Sequence, residues 1–196
     1  MIILANKTTV ALSREEYEKI TSTISNGFIY NRRHFKPNKQ IATILTIQGN
    51  LGLRIGDVMS LSLNSFLRDG NRYRIDIIEE KTKKKREFTV PIEVYNFIKM
   101  YSLEQNLKPQ AKLFTITERT VQRHLKYTCD YLGIERVSTH SFRKFFATQI
   151  YINSNYNIML VKQLLQHANA STTQRYIGIQ RKEVEEALDN HVIITI

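Results

Sequence analysis

The chain has 196 residues, enough for one domain with its own hydrophobic core and a short appendage. Its 29 lysines and arginines against 18 aspartates and glutamates give a formal net charge of +11, which indicates a polyanionic partner, nucleic acid before membrane. The single cysteine, Cys129, excludes an internal disulfide framework, and no apolar run approaches the roughly 20 residues that span a bilayer, so we expect a cytoplasmic protein with no membrane partner.

Capping patterns mark the first two predicted helices. Ser13 begins a capping-box pattern, which predicts a helix from about Arg14 to Ser25. The basic stretch over residues 30–37 is interpreted as a loop. Asn38 then caps an apolar helix, whose end we expect among the glycines of residues 49–52.

Arg54 follows directly, between the apolar residues Leu53 and Ile55, where an arginine would be costly to bury without partners. Asp57 comes three residues later. One interpretation is an ordinary helical ion pair worth about 0.2–0.5 kcal/mol. The other is an arginine at a helix start that faces a phosphate and is oriented by Asp57.

A β-hairpin is predicted next. Residues 73–78 alternate as a half-buried strand should, and residues 87–92 resume a strand that Pro91 terminates. Between them, residues 81–86 contain five basic residues in six. Most of this cluster is interpreted as a solvated hairpin tip, and its candidates for DNA contact are Lys83, Lys84, Lys85 and Arg86.

Two further helices are expected after the hairpin. The first runs from Pro91 to about Glu104, and the second begins at Thr117 or Thr120 and ends at Gly133. The second helix has an apolar inner face and a basic outer face, which is either simply solvated or in contact with DNA. The basic residues of that outer face are Arg119, Arg123 and Lys126.

The C-terminal part of the sequence combines residue types suited to phosphate chemistry. His140 and Arg143 share one face of a predicted helix, since residues three apart on a helix are neighbours. An arginine offers a planar fork of donors to a phosphate, and a histidine adds another donor. His167 follows an apolar helix over residues 155–166, and Tyr176, nine residues later, is a candidate nucleophile in a short helix.

The apolar residues of the helix over 155–166 predict a core-facing stripe rather than a cofactor site. They are Met159, Leu160, Leu164 and Leu165. A last helix is expected over residues 181–188, followed by a β-branched tail over residues 189–196. Cys129 is interpreted as a packing residue on its helix.

The order of these motifs resembles the C-terminal signature of the tyrosine recombinases, the phage integrase family. That signature is His140-x-x-Arg143, Leu165-x-His167 and then Thr173-x-x-Tyr176. The segment Gly52-Leu-Arg-x-x-Asp57 also resembles the first arginine motif of the family. Gln166 is a departure, because the family usually has glycine before this histidine.

The resemblance implies an α+β fold: a mostly helical tyrosine-recombinase catalytic domain with a small antiparallel β-sheet. We expect residues 1–196 to form one catalytic domain, with its core over about 13–188 and no N-terminal core-binding domain. By the same resemblance, Arg54 and Arg143 clamp the scissile phosphate, and His140 and His167 add donors or relay a proton. Tyr176 forms a 3′-phosphotyrosyl bond.

In the family, a lysine on the hairpin protonates the leaving oxygen. Lys81 is the expected residue, at the entry of the turn. Lys83 is the alternative, because it lies eight residues before Pro91, a spacing found in the family.

The expected function is that of a site-specific recombinase or integrase that cuts and rejoins double-stranded DNA without metal or cofactor. The resemblance implies a homotetramer on DNA and a monomer when free, with the tail packed in cis or in trans. Two alternatives remain: a DNA-binding regulator that keeps the fold without recombining, and a type IB topoisomerase.

Overall fold

The computed structural model describes residues 9–167 and 169–177, apart from the side chains of residues 175 and 176. The expected helix over 181–188 and the tail over 189–196 lie outside the described residues. The helices are α1 Arg14–Asn26, α2 Lys39–Leu51, α3 Ile55–Met59, α4 Ile92–Glu104, α5 Glu118–Leu132, α6 Thr139–Asn153, α7 Ile158–Leu165 and α8 Ala170–Ile177. The strands are β1 Phe28–Tyr30, β2 Arg33–Phe35, β3 Phe66–Asp69, β4 Arg72–Ile78 and β5 Lys85–Val90. The α+β class is confirmed.

The predicted helix caps are present. The Ser13 hydroxyl accepts from the Glu16 backbone N–H at 3.1 Å, and the Asn38 side chain accepts from the Ile41 N–H at 3.0 Å. Thr117, rather than Thr120, is the N-cap of α5. Local side-chain bonds of this kind satisfy backbone donors that a helix leaves open, so the sequence alone locates these boundaries.

The loop predicted over residues 30–37 is wrong in part, because residues 28–35 form the β1–β2 hairpin and only its turn and residues 36–37 lack strand structure. Asn31 and Arg32 both have positive φ angles, 49° and 60°, in the turn. The rings of Phe28 and Phe35 stack with their centroids 4.5 Å apart, and Phe28 also stacks on Tyr131 of α5 at 4.9 Å. Aromatic packing on α5 therefore stabilises a hairpin whose turn lacks the glycine that such turns usually contain.

The larger sheet has the order β3-β4-β5, with both pairs antiparallel. Strand β3 was not predicted from the sequence. The β4–β5 turn is closed by a hydrogen bond from the Glu79 N–H to the Lys84 carbonyl at 2.9 Å. The register pairs Ile77 with Arg86, which places Arg86 inside the sheet rather than at the tip of the turn.

Two hydrophobic cores organise the helices. The larger contains side chains of α1, α2, α4, α5, the three-stranded sheet and the first half of α6. The smaller is formed by Ala147, Val161, Leu165 and Ile177, which dock α7 and α8 onto α6. This second core fixes the segment that carries His167 and the backbone of α8.

The core stripe predicted for α7 is wrong in part. Met159 and Leu160 are 58% and 38% exposed. The buried residues of α7 are Val161 and Leu165, four residues apart on one face, so positions 159 and 160 lie on the other side of the helix.

Candidate active site

A sharp turn at Gly52 brings the first arginine motif beside α6. Gly52 ends α2 with a φ of +59°, and a Cβ at this position would lie 2.2 Å from the Phe146 ring. Only glycine fits both the left-handed backbone and this close approach. The chain then reaches Arg54 two residues later, at the N-cap position of α3.

Arg143 is buried and bridges two parts of the site. Its Nη1 donates to the Gly52 carbonyl at 2.6 Å, and its Nη2 donates to the Leu165 carbonyl at 2.9 Å. The residue is only 2% exposed. The planar fork of the guanidinium suits this double contact, which ties the end of α2 to the end of α7.

Arg54 has a different acidic partner from the one predicted. Its Nη1 donates to the buried carboxylate of Glu79. Asp57 instead accepts a hydrogen bond from the Glu80 backbone N–H at 2.8 Å and is 2% exposed. The expected Arg54–Asp57 pair is wrong, because the Arg54 guanidinium pairs with Glu79 of the hairpin and the Asp57 carboxylate bonds the hairpin backbone instead.

Glu79 is a site residue that the sequence analysis missed. It is fully buried, and it accepts from Arg86 Nη1 at 3.0 Å and from the Thr82 hydroxyl at 2.6 Å. Burial alone would raise the pKa of this carboxyl group, but the hydrogen bonds from Thr82, Arg86 and Arg54 outweigh it and lower the pKa to about 2. Glu79 is therefore a carboxylate at neutral pH.

The prediction that Arg86 contacts DNA is wrong. Arg86 is 1% exposed and donates from Nη2 to the Leu164 carbonyl of α7 at 2.8 Å. Its guanidinium also lies over the Phe88 ring, 5.1 Å from the centroid. The run of basic residues over 81–86 predicted a solvated hairpin tip, but the strand register directs the Arg86 side chain into the protein.

The remaining basic candidates are exposed. At the start of β5, Lys85 pairs with Asp76 at 3.2 Å and with Glu87 at 3.0 Å. Such surface pairs are weak and leave the cation accessible. The exposed candidates are Lys83, Lys84, Lys85, Arg119, Arg123 and Lys126.

His167 lies among the cationic groups and contacts α8. Its Nδ1 is 3.0 Å from the Thr173 hydroxyl. Burial and the nearby charges of Arg143, Arg54 and Arg86 lower the pKa of His167 to about 4. The imidazole is therefore neutral at pH 7 and retains a nitrogen that can accept a proton.

His140 is in the first turn of α6, next to Arg143 in space as well as on the helix. Partial burial, then the charge of Arg143, lower the pKa of His140, and the charge of Lys81 contributes in the same direction. Lys81 itself is an exposed residue at the start of the β4–β5 turn. Lys83 instead lines an open groove with Ile78 and Phe114 and has a φ of 56°.

The backbone of Tyr176 is part of α8, but its side chain lies outside the described side chains. Thr173, three residues earlier, contacts His167, and Ile177 packs in the smaller core. Residues three apart are neighbours on a helix, so the Cα of residue 176 lies one turn beyond Thr173.

Other chemistry is not favoured by the described residues. Cys129 is 5% exposed, and burial raises the pKa of its thiol to about 12, which suits a packing residue and not a nucleophile. Within ranges 9–167 and 169–177, no group of three or more His, Cys, Asp or Glu side chains could hold a metal ion. None of the helices described here is long and apolar enough to cross a membrane.

Comparison with known proteins identifies the family. The family model described as "Phage integrase family" matches residues 11–183, and the chain belongs to this family. The tyrosine recombinase XerC of Caldanaerobacter subterraneus subsp. tengcongensis is 25% identical over 197 residues, which is 93% of this chain and 51% of the relative. The probable integrase/recombinase YoeC of Bacillus subtilis is 29% identical over 143 residues, or 70% of this chain and 77% of the relative.

Solved structures share the fold. XerH bound to its palindromic difH substrate, in a post-cleavage complex, superposes with a TM-score of 0.69 at 23% identity, over 94% of this chain and 54% of that one. The catalytic domain of bacteriophage HP1 integrase superposes with a TM-score of 0.64 at 19% identity, over 93% and 95%. The chain thus spans about half the length of the XerC and XerH proteins and nearly all of the HP1 catalytic domain.

Proposed function

We propose that this chain is the catalytic part of a tyrosine-type site-specific recombinase that cuts and rejoins duplex DNA through a 3′-phosphotyrosyl intermediate. The observation that carries the proposal is the meeting of two distant arginine motifs. Arg143 bonds the carbonyl of Gly52, two residues before Arg54, and the charges of both arginines act on His167.

The arginines supply the positive charge that phosphoryl transfer needs. As the phosphorus becomes pentacoordinate, charge accumulates on its nonbridging oxygens, and Arg54 and Arg143 stabilise that charge. A single preorganised donor of this kind typically contributes about 10²–10³ in rate. Because these cations are present in the protein itself, we expect cleavage to persist when a chelator removes divalent metals.

In the proposed cleavage step, one O–P bond forms as another breaks, and each proton that moves has a named donor and acceptor. The Tyr176 oxygen attacks the scissile phosphorus, and the new O–P bond forms as the bond from phosphorus to the 5′ oxygen breaks. The Lys81 ammonium gives its proton to the leaving 5′ oxygen. The phenol proton passes to the neutral imidazole of His167 or His140. Attack by another 5′ hydroxyl on the phosphotyrosine reverses these transfers and rejoins the strand.

The exposed cations are proposed to hold the DNA backbone, and the tetramer is proposed as the active assembly on DNA. Support for the DNA contact comes from the charge of +11 and from two XerH structures, which are complexes with difH substrate. The tetramer is proposed from the family resemblance alone. Phosphate contacts position a duplex without reading its sequence, so this surface alone would give modest sequence discrimination.

Trapping on nicked DNA tests the proposal. The substrates are a pool of nicked duplexes of randomised sequence. After cleavage, the short fragment between the cut and the nick, which carries the freed 5′ hydroxyl, diffuses away. The covalent intermediate therefore accumulates and can be recovered under denaturing conditions. We expect an adduct with or without EDTA, and the trapped sequences then define a selected duplex. Binding without any adduct in the wild-type chain would contradict the proposal and favour a DNA-binding regulator.

A further inference from the structure

Glu79 and Arg86 form a buried ion pair that the proposed chemistry does not use. Both are essentially inaccessible, at 0% and 1% exposure, and they meet across the β4–β5 turn with Nη1 and Oε1 3.0 Å apart. A buried ion pair contributes little to the stability of a fold, because desolvation of two charges opposes their attraction unless further hydrogen bonds satisfy both groups. Here each further bond leads to a different part of the site.

The second carboxylate oxygen of Glu79 bonds both Arg54 and the β4–β5 turn that contains Lys81. Oε2 accepts from Arg54 Nη1 and from the Thr82 hydroxyl, the latter at 2.6 Å. Thr82 follows Lys81 directly in the turn. One carboxylate group therefore fixes both the Arg54 guanidinium and the backbone next to Lys81.

The second amino group of Arg86 serves the end of α7. Arg86 Nη2 donates to the Leu164 carbonyl at 2.8 Å, and Arg143 Nη2 donates to the next carbonyl, of Leu165, at 2.9 Å. Gln166 adds a link in the opposite direction, from its side-chain Nε2 to the Lys85 carbonyl at 2.9 Å. The bonds of Arg86 and Gln166 anchor the helix end immediately before His167 to strand β5, and the bond of Arg143 anchors it to α6.

We propose that Glu79 and Arg86 are positioning residues that hold Arg54, the Lys81 turn and the His167 segment as one preorganised unit. The inference rests on the proposed function, because it assigns these residues to the geometry of that same reaction. Neither side chain reaches the DNA. Glu79 orients the Arg54 clamp and, through Thr82, the general acid, while Arg86 keeps Glu79 ionised and secures the end of α7.

Thr82 offers a test that leaves the buried ion pair intact. Thr82→Val removes the hydroxyl bonded to Glu79 and keeps the shape of the side chain, and Thr82→Ser restores the hydroxyl. Thr89→Val is the matched control, since Thr89 is an exposed threonine on β5. Each variant is assayed for single-turnover cleavage of the selected duplex.

A second DNA substrate shows whether the effect passes through Lys81. In this substrate, sulfur replaces the bridging 5′ oxygen of the scissile phosphate. A thiolate leaves without being protonated, because a thiol has a pKa of about 8.5, far below that of an alcohol. We expect Thr82→Val to cleave the oxygen substrate about 10-fold more slowly, a part of the 10²–10⁴ that general acid catalysis contributes. It should cleave the sulfur substrate at the wild-type rate.

Glu79→Gln extends the test to Arg54. This change weakens the hold on Arg54 as well as on the turn, so we expect cleavage to fall about 10²-fold, the size of a small misplacement of catalytic groups. The sulfur substrate should restore only part of that loss. Glu80→Gln, an exposed neighbour, is the control. Thermal unfolding is measured first, to establish that Glu79→Gln is folded at the assay temperature. If this variant is unfolded there, the Thr82 variants alone test the proposal.

Two results would overturn the inference. One is wild-type cleavage of the oxygen substrate by Thr82→Val, and the other is an equal loss on both substrates that Thr82→Ser fails to restore. Failure of the proposed function looks different, because the wild-type chain would then form no adduct on either substrate.

Discussion

Two groups of cations among the described residues have different surroundings. Arg143 and Arg86 are 2% and 1% exposed and donate to backbone carbonyls at the ends of α2 and α7. The basic residues of the β4–β5 turn and of the outer face of α5 are exposed. Buried donors cannot rotate away from their partners, whereas exposed side chains are mobile and screened by salt.

The two groups are expected to have different roles, because the buried cations fix the geometry of the site and the exposed cations determine the affinity for DNA. Charge alone, at +11, predicts a nucleic-acid partner and would treat all 29 lysines and arginines alike. The structure shows that the buried group instead ties together segments far apart in the sequence. We therefore expect changes in the buried group to lower the cleavage rate, and changes in the exposed group to lower the affinity for DNA.

The largest effect is expected from Arg143→Ala. This change should slow cleavage by about 10²–10³, the typical loss of one preorganised donor. It should also lower the free energy of unfolding by about 3–6 kcal/mol, because it removes two hydrogen bonds from a charged donor, worth about 1.5–3 kcal/mol each. Denaturant unfolding and single-turnover cleavage measure the two quantities.

Arg143→Lys and Arg54→Ala sharpen this result. Lysine keeps the charge but cannot span both carbonyls as the guanidinium fork does, so Arg143→Lys should remain impaired in cleavage. Arg54→Ala should slow cleavage to a similar degree with a smaller change in stability, since the Arg54 side chain is 22% exposed. Unchanged stability in Arg143→Ala would contradict the structural part of the account.

The exposed group should respond through salt. The double variant Lys84→Gln with Arg123→Gln should reduce the slope of log affinity against log salt by about 0.9 for each DNA phosphate that is no longer neutralised. Its cleavage rate at saturating DNA should stay near that of the wild-type chain. Lys99→Gln, an exposed lysine of α4, controls for the removal of a charge elsewhere on the surface. A reduced cleavage rate of the double variant at saturating DNA would contradict the proposal that the exposed cations affect only the affinity.

The smallest expected effect is the dependence of stability on pH. The pKa of His167 in the fold is about 4, below its ordinary value of 6.5. Between these two pH values the histidine is protonated in the unfolded chain but neutral in the folded chain. Stability should therefore decrease as the pH falls from 6.5 towards 4. Glu79, with a pKa of about 2 against an ordinary 4.5, extends the decrease from pH 4.5 towards 2.

Thermal unfolding across this range measures the profile. His167→Gln should make the profile less steep between pH 6.5 and 4 and should leave the acidic part unchanged. Part of the slope should remain, because the pKa values of His140 and His124 are also lowered in the fold. A profile that His167→Gln does not alter would mean that the site does not depress the pKa of this histidine.

Local signals explain which parts of the fold were predictable. Ser13, Asn38 and Gly133 act within a few residues of themselves, so the ends of α1, α2 and α5 followed from the sequence. The order of Arg54, His140, Arg143, His167 and Tyr176 predicted the family, which the match over residues 11–183 confirmed.

The errors arose where tertiary contacts decide. The burial of Arg86 depends on the β4–β5 register and on α7, whose Leu164 is 78 residues away in the sequence. The partner of Arg54 is Glu79 rather than Asp57 because a hairpin, not a helix, places the acid beside it. Hydrophobic periodicity in α7 likewise could not tell which of its apolar residues would face α6.

The most direct measurement is the identity of the residue that becomes linked to DNA. The trapped adduct is digested with protease and nuclease, and mass spectrometry locates the residue that carries the nucleotide. The account predicts attachment at Tyr176 and at none of the other nine tyrosines, with no adduct from Tyr176→Phe and a normal yield from Tyr156→Phe, since Tyr156 is 62% exposed. Attachment at any other residue, or an undiminished adduct from Tyr176→Phe, would contradict it.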